Sequence, residues 1–330
     1  MTYLGFKFPQ ASPEALGCAR QYLRGAITRA TNEAINSAGG VLAASAIYDA
    51  VIARRNRAGV FRRNAQVIPM ASDVQTVPRR ISDMIASFTV EGAALPVSDF
   101  GYDGIGLVAK KLGGIHLRSS ELAEDSIDAE AEDLISGIGY ALALAEDQAA
   151  FKGDGTSAYG GVRGLTTILN DGQHAASVYT AVGHTTVSAI TSGDIANLIA
   201  LLPDWAMQNA KFYCSAFSFG LCLSGLGASG MNTGPEGNAE KNLMFLGFPV
   251  ETTAQLPGSG SQTGKPVILF GDLSLASTLG ERRGLNIRVL RERYADINQI
   301  GFAATERIDI SNHDLGGASS AGGCVALVCG

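Results

Sequence analysis

The feature that most constrains this chain is one long amphipathic stretch at residues 121–155. It opens with seven closely spaced acids and continues with apolar residues three and four positions apart, which places one stripe, including Leu134, Ile138 and Leu142, on a helix. The acids suit the positive end of the helix dipole, and Asp154-Gly155 is a turn signal that ends the helix. About 25 helical residues span about 37 Å, so we expect a spine through the molecule. The alternative is an ordinary surface helix of an α/β enzyme.

Charge is segregated along the 330 residues, whose net charge is −6. Residues 1–80 carry +7, residues 81–150 carry −10 and residues 151–330 carry −3. Opposite signs in neighbouring segments serve either association between chains or pairing of elements inside one fold. The net charge disfavours nucleic-acid binding by the whole surface, and the 46% hydrophobic content is typical of a globular protein.

The cysteines and the apolar stretches suggest neither a metal site nor a membrane span. None of the cysteines forms a CxxC pair or lies near a histidine, so we expect buried free thiols and no metal or cofactor. The uncharged residues 212–235 are rich in Ser, Gly and Asn, which disfavours a membrane helix, and the first residues lack a signal-peptide pattern. The five cysteines are Cys18, Cys214, Cys222, Cys324 and Cys329.

Strand patterns flank the predicted spine on both sides. Residues 66–118 are predicted to form a long hairpin, with a strand at 85–90, a tip at 91–96 and a return strand over 100–116. Its apolar residues are too few for a core of its own, so it must lie on another surface. After the spine we expect a helix capped at 192–194, buried strands at 211–215, 267–272 and 325–328, and a long strand at 297–310.

Catalytic and phosphate-binding motifs are not met. Residues 258–265 have the wrong glycine spacing for a P-loop, and Pro266 replaces the Ser or Thr that binds magnesium. The glycines at 153 and 155 lack a third partner for a dinucleotide fingerprint, and Ser224 lacks the glycines of a nucleophile elbow. We interpret His313-Asp314 as a surface turn rather than an acid/base pair.

A basic cluster follows the first predicted helix. It either contacts phosphate or a neighbouring subunit, or pairs with the chain's own acids, such as the first turns of the spine. The cluster consists of Arg54, Arg55, Arg57, Arg62 and Arg63.

Four pieces in order carry a resemblance to a known family. They are a short helix and strand at 41–69, a loop tip of sequence VEGAALPVSDF at 90–100, LRSSEL at 117–122 leading into a spine that ends FKGDGT, and LGFPV at 246–250 followed by FGDL at 270–273, RE at 291–292 and a strand to 310. From about Gly40 onward the chain resembles the HK97-fold major capsid proteins of tailed bacteriophages.

The resemblance implies an α+β, HK97-like capsid fold. It assigns residues 1–40 to an N-terminal arm, 71–118 to an extended hairpin loop and 173–284 to an axial α/β domain. The peripheral domain takes 41–70, 119–172 with the spine helix, and the long strands of 285–314, and residues 315–330 return to the axial domain.

The resemblance also implies a structural function without catalysis. The chain is expected to assemble with itself as pentamers and hexamers into an icosahedral shell around double-stranded DNA, in a virion built in the host bacterial cytoplasm. Portal, separate scaffolding and decoration proteins are implied partners. The loop tip, which includes Glu91, Gly92, Leu95, Pro96 and Asp99, is expected to contact a neighbouring subunit. Leu95 stands where some members carry a cross-linking lysine, and it cannot form an isopeptide.

Two alternatives stay open from the sequence alone. Encapsulins share the fold implied above and enclose cargo enzymes instead of a genome. A homo-oligomeric α/β enzyme is the other class, and it needs a convergent polar pocket.

Overall fold

A computed structural model describes residues 40–82, 84–90, 94, 97–119, 127–228, 243–258, 260–290 and 292–330. The main helices are α1 (Gly40–Ala58), α2 (Val60–Asn64), α3 (Ile127–Lys152), α4 (Leu165–Leu169) and α5 (Ser192–Leu201). Short helical pieces follow at Ala216–Ser218, Phe219–Leu223, Ser224–Ala228 and Leu273–Ala276.

Twelve strands are present in the described part of the chain. In the first half they are β1 (Gln66–Pro69), β2 (Val74–Ser82), β3 (Gly101–Val108), β4 (Lys110–Ser119), β5 (Val178–Ala181) and β6 (Lys211–Cys214). In the second half they are β7 (Leu243–Phe245), β8 (Phe248–Thr252), β9 (Pro266–Gly271), β10 (Ser277–Leu290), β11 (Gln299–Asn312) and β12 (Cys324–Cys329).

Ten of these strands form two sheets, and the other two, β2 and β3, form a hairpin. The first sheet has the order β1-β10-β11-β4, with β1 parallel to β10 and the other neighbours antiparallel. The second has the order β5-β12-β9-β6-β8-β7, which mixes parallel and antiparallel pairs. Among the described strands, β2 and β3 pair only with each other.

The predicted spine is confirmed as helix α3, which we call the spine helix. Leu134, Ile138 and Leu142 are buried in one cluster with Phe302 and Ala304 of β11. The helix residues recur every three or four positions and the strand residues every second position, so each set lies on one face of its element. The two faces pack against each other, as in any helix packed on a sheet. Of the predicted acidic start at residues 121–133, residues 121–126 lie outside the described residues, and residues 127–133 belong to the helix.

The end of the spine helix is set by a close backbone approach. Its last residue is Lys152, and the amide of Gly164 donates to the carbonyl of Gly153 at 2.7 Å. A Cβ on Gly153 would stand 2.5 Å from the carbonyl oxygens of Ala149 and Val162, so only glycine fits there. The FKGDGT signal predicted this end correctly, and Phe151 next to it is fully buried.

The second sheet is apolar on both faces. Strands β9 and β12 are buried at every residue, as the apolar runs predicted. Thr191 caps α5, and Asp194 completes a capping box with it, which confirms the helix start expected from residues 192–194.

The predicted hairpin is corrected in two places. Residues 84–90 contain no strand, and no strand among the described residues pairs with them. The return strand ends at Val108, and Lys110–Ser119 then pairs with β11 along the first sheet. Alternating side chains do not reveal which neighbour a strand will join, so β3 and β4 were predicted as one strand.

Candidate functional site: the projecting hairpin and its anchor

The hairpin carries a large exposed apolar surface. We define the outer hairpin as residues 83–100, of which 84–90, 94 and 97–100 are described. Phe88 is fully exposed, and monomeric proteins rarely leave such contiguous apolar patches open. The exposed apolar side chains on it and on the adjacent strand ends are Ile81, Met84, Ile85, Phe88, Val90, Val97, Phe100 and Tyr102.

The root of the hairpin packs tightly on the first sheet. Ile105 and Leu107 of β3 are buried in a small cluster with Met70. A Cβ on Gly280 would come within 2.7 Å of the Met70 sulfur, so glycine in β10 makes room for this contact. Because the root is packed and the outer hairpin is open, the hairpin projects from a fixed base.

A polar anchor joins the hairpin to the end of β11, the strand that precedes His313. Arg79 of β2 donates from Nη1 to the carbonyl oxygen of His313 at 3.1 Å, and the same nitrogen lies 3.3 Å from His313 Nδ1. Arginine offers only donors, so Nδ1 accepts and the protonated Nε2 donates to Thr278 Oγ1 at 2.9 Å. Burial and the charge of Arg79 lower the pKa of His313 to about 4, which keeps the imidazole neutral.

The His313-Asp314 pair therefore has a structural role at this anchor. Asp314 Oδ1 lies 3.7 Å from Arg79 Nη1, and Asp103 Oδ2 of β3 lies 3.5 Å from Arg79 Nη2. Burial raises the pKa of Asp314, against the charge of Arg79. The pair is more buried than the surface turn we predicted, because it receives the arginine of the hairpin.

Replacing Arg79 by alanine is expected to loosen the hairpin without unfolding the body. The carbonyl and imidazole of His313 would lose their donor, while the apolar root stays packed. Hydrogen exchange in β2 and β3 should quicken several-fold, which corresponds to about 1 kcal/mol for a lost hydrogen bond. Arg288→Ala, an exposed arginine on β10, is the control. Equal exchange in both variants would contradict the anchor.

A buried ionic cluster holds the spine helix to the strands beside it. Arg62 of α2 binds both oxygens of Glu146 at 2.9 and 2.7 Å and donates to Glu281 of β10 at 2.9 Å. Arg55 of α1 donates to Glu306 of β11, and both side chains are almost fully buried. We call these five residues the ionic cluster. Burial opposes the charge of Arg62, but Glu146 and Glu281 outweigh it and raise its pKa.

Asp147 adds a helix cap beside the ionic cluster. Its carboxylate accepts the backbone amides of Val60 and Phe61 at 3.0 and 2.9 Å, which satisfies the first turn of α2. Burial raises the pKa of Asp147 to about 6, although both amides favour the charged form.

The basic cluster is thus not one surface, and the prediction that it faces a genome or a subunit is wrong for Arg55 and Arg62. Both are buried and matched by acids distant in sequence. Arg63 is exposed and pairs with Glu251 at 2.8 Å, while Arg57 is exposed and Arg54 half-buried. The expected partners were the first turns of the spine, whereas the acid used by Arg62 lies near the spine's other end.

Of the predicted loop-tip residues, the structure places only one. Glu91, Gly92, Leu95 and Pro96 lie outside the described residues, and Asp99 is exposed. Their contact with a neighbouring subunit stays a prediction.

The described residues offer little chemistry for catalysis or metal binding. No three His, Cys, Asp or Glu side chains in them are placed to hold a metal ion. A cavity of about 280 Å³ lies between the spine helix and the first sheet, and it is largely apolar, with Leu134 and Phe302 in its wall. Within these same ranges, no helix is both long and apolar enough to cross a membrane.

The described cysteines are buried free thiols, as expected. Burial raises the pKa of Cys214, Cys222 and Cys324 to about 12 in each case, so these thiols stay protonated. Cys329 is also buried and free, and Cys18 lies outside the described residues.

Comparison with known proteins defines the class to which this fold belongs. The capsid of a native GTA particle superposes with a TM-score of 0.60 at 18% identity, covering 82% of this chain and 90% of that one. Structures from Microbacterium phage Oxtober96 and Mycobacterium phage Adephagia give TM-scores of 0.58 and 0.56 at 18% and 16% identity. Each of these two matches covers 82% of this chain. The first covers 91% of the Oxtober96 chain and the second covers 90% of the Adephagia chain. The fold is therefore the one that the capsid chain of the GTA particle has.

The sequence identifies the family directly. Residues 39–314 match the model of the phage capsid family, and the chain belongs to that family. No curated protein matches the chain by sequence. The expected HK97-like fold and structural capsid role are therefore confirmed, and neither alternative class is favoured.

Proposed function

We propose that this chain assembles with copies of itself, as pentamers and hexamers, into an icosahedral shell around double-stranded phage DNA. The observation that carries the proposal is the outer hairpin, whose described apolar side chains are exposed on the isolated subunit. A second copy supplies a surface that covers them, because every subunit of a closed shell meets identical neighbours.

The hairpin suits a contact between subunits because its two ends differ. The root is held by Leu107 and by the anchor at Arg79, so the direction of projection is preset. The outer part is free to bury apolar area at about 25 cal/mol per Å² when a neighbour covers it. Because the root is already ordered, little conformational entropy is lost there on association, which favours binding.

We place the remaining surface arginines of the basic cluster at contacts between subunits. Arg63 already pairs with Glu251, which leaves it poorly suited to phosphate. The strongly acidic residues 121–133 of a neighbour are complementary in charge to this basic segment. Assembly in the host cytoplasm with portal, scaffolding and decoration proteins completes the proposal.

The purified protein should sediment as closed shells or as pentamers and hexamers, and negative-stain images should show rings or shells. Extraction of the shells should release nuclease-sensitive DNA when they come from an infected cell. A single species near the 34.2 kDa chain mass at micromolar concentration would contradict assembly. Shells that hold only protein cargo would contradict the enclosure of DNA but not the assembly into shells.

A further inference from the structure

The ionic cluster contains more negative than positive groups. Two guanidinium groups, on Arg55 and Arg62, face the three carboxyl groups of Glu146, Glu281 and Glu306. Glu146 and Glu306 are each 1% exposed, so water does not solvate these two carboxyl groups, whereas the Glu281 side chain is 23% exposed. A buried charge without compensation is costly, and such a group takes up a proton instead.

The geometry identifies which oxygen holds that proton. Glu306 accepts from Arg55 through Oε2, while its Oε1 is buried without a hydrogen-bond donor among the described residues. Glu146 is close enough to Glu306 for its charge to raise the pKa of the Glu306 carboxyl. Two carboxylates cannot bond each other unless one of them carries the hydrogen.

We propose that Glu306 is a carboxylic acid in the folded subunit at neutral pH, and that its proton bridges to Glu146 as part of the joint between spine helix and long strands. The five groups then sum to zero charge. In alkaline solution the proton passes to hydroxide, giving water and a Glu306 carboxylate opposite Glu146. The two like charges weaken the joint at this point.

The titration of Glu306 agrees with this geometry. Burial is the largest cause and the charge of Glu146 the next, and against Arg55 they raise the pKa of Glu306 to about 8 from its ordinary 4.5. A carboxyl whose folded pKa is raised binds its proton more tightly when folded. Its contribution to stability is therefore complete below about pH 4.5 and is lost as the pH rises through about 8.

Four of the elements around Glu306 contribute a charged side chain, and β4 contributes an apolar one. Arg55 comes from α1, Arg62 from α2, Glu146 from the spine helix and Glu281 from β10, while β4 opposes it with Leu112. The nearby Asp147 is already held by two amides. Arg55 and Arg62 lower the pKa of Glu281, against its burial, so that carboxylate stays charged and does not take the proton.

Glu306→Gln tests the proposal, because an amide donates to Glu146 as the protonated acid does but cannot lose a proton. Urea unfolding of the full chain should be followed from about pH 6 to about pH 9. The wild-type midpoint should fall across that range more steeply than the Glu306→Gln midpoint, because the variant has no proton to lose at position 306. Between about pH 6 and about pH 8, the pH slopes of the two unfolding free energies should differ by about one proton per chain. Glu251→Gln, at the exposed pair with Arg63, should fall like the wild type.

A Glu306→Gln midpoint that falls in parallel with the wild type would overturn the proposal. If the variant does not fold, infrared spectra of the wild-type protein decide the matter. The carbonyl band of a protonated carboxylic acid should be present at neutral pH and lost as the pH passes about 8. A spectrum without that band at neutral pH would overturn the proposal independently. Both measurements concern the subunit, so they stand whether or not the chain forms a shell.

Discussion

Removing the outer hairpin is expected to abolish shell formation and to leave the subunit folded. Ser82 and Gly101 are register partners, and the Gly101 amide donates to Ser82 Oγ at 2.9 Å. Residues 83–100 are therefore replaceable by an Asn-Gly turn, which suits a two-residue hairpin. The deletion removes the exposed apolar side chains of the outer hairpin but keeps the packed root at Leu107. Sedimentation should show only small species, with the circular dichroism spectrum of the body retained.

A matched pair of point variants separates this contact from general surface apolarity. Phe88→Ser should slow or weaken assembly, whereas Tyr140→Ser, an exposed aromatic residue on the spine helix, should have a smaller effect. Loss of the folded spectrum on deletion would place the hairpin in the core and refute our reading. Normal shells from the deletion variant would show that other surfaces suffice for assembly.

Arg62→Ala is expected to be the most destabilising single change in the ionic cluster. It leaves Glu146 buried without its bidentate partner and takes one contact from Glu281. Breaking a buried ion pair on one side costs about 3–5 kcal/mol, against a typical total stability of about 5–15 kcal/mol. The unfolding free energy from urea titration measures the loss, and Arg288→Ala should stay within about 0.5 kcal/mol of wild type.

A double variant tests whether the cost comes from the uncompensated charge. Arg62→Met with Glu146→Leu replaces the pair by apolar groups, and it should recover most of the stability lost in Arg62→Ala. Arg62→Ala with wild-type stability would mean that water reaches Glu146 and that the cluster is not sealed. A double variant worse than the single one would mean that the geometry, not the charge, matters at this site.

The sequence predicts those parts of the fold whose periodicity is strong. Leu134, Ile138 and Leu142 recur at helical spacing, and the apolar runs at β9 and β12 have no polar interruption, so both were placed correctly. The turn at Gly153 was also predicted correctly, because the nearby backbone carbonyl oxygens leave no room for a side chain at that position. The domain boundaries drawn from the resemblance stay predictions.

The hairpin shows where local pattern is insufficient. Residues 85–90 have the β-branched and aromatic composition of a strand, but strand formation depends on a partner that the single subunit does not supply. Residues 101–119 alternate without a marked break, yet the pairing changes from β2 to β11 at Ala109. Such a change is decided by long-range packing, which a local pattern does not contain.

The ionic cluster was missed although signals for it exist. Arg55 follows the fully buried Val51 by four residues, which puts both on one face of α1. Glu306 occupies the inward register of β11 between Ala304 and Ile308. A charge on an apolar face is a mark of a buried pair, but its partner comes from residues 84 to 251 positions away.

The position of β12 between β5 and β9 in the second sheet has a consequence for folding kinetics. β12 pairs with β5 in parallel and with β9 on its other side, so residues 178–181 find their neighbour only in residues 326–329. Closing so large a loop precedes any gain from the contact, which makes the step slow. Until β12 is inserted, the edges of β5 and β9 are open to strands of other chains. Subunits at high concentration therefore face a race between intramolecular closure and misassociation, and refolding yield should fall as the protein concentration during refolding rises.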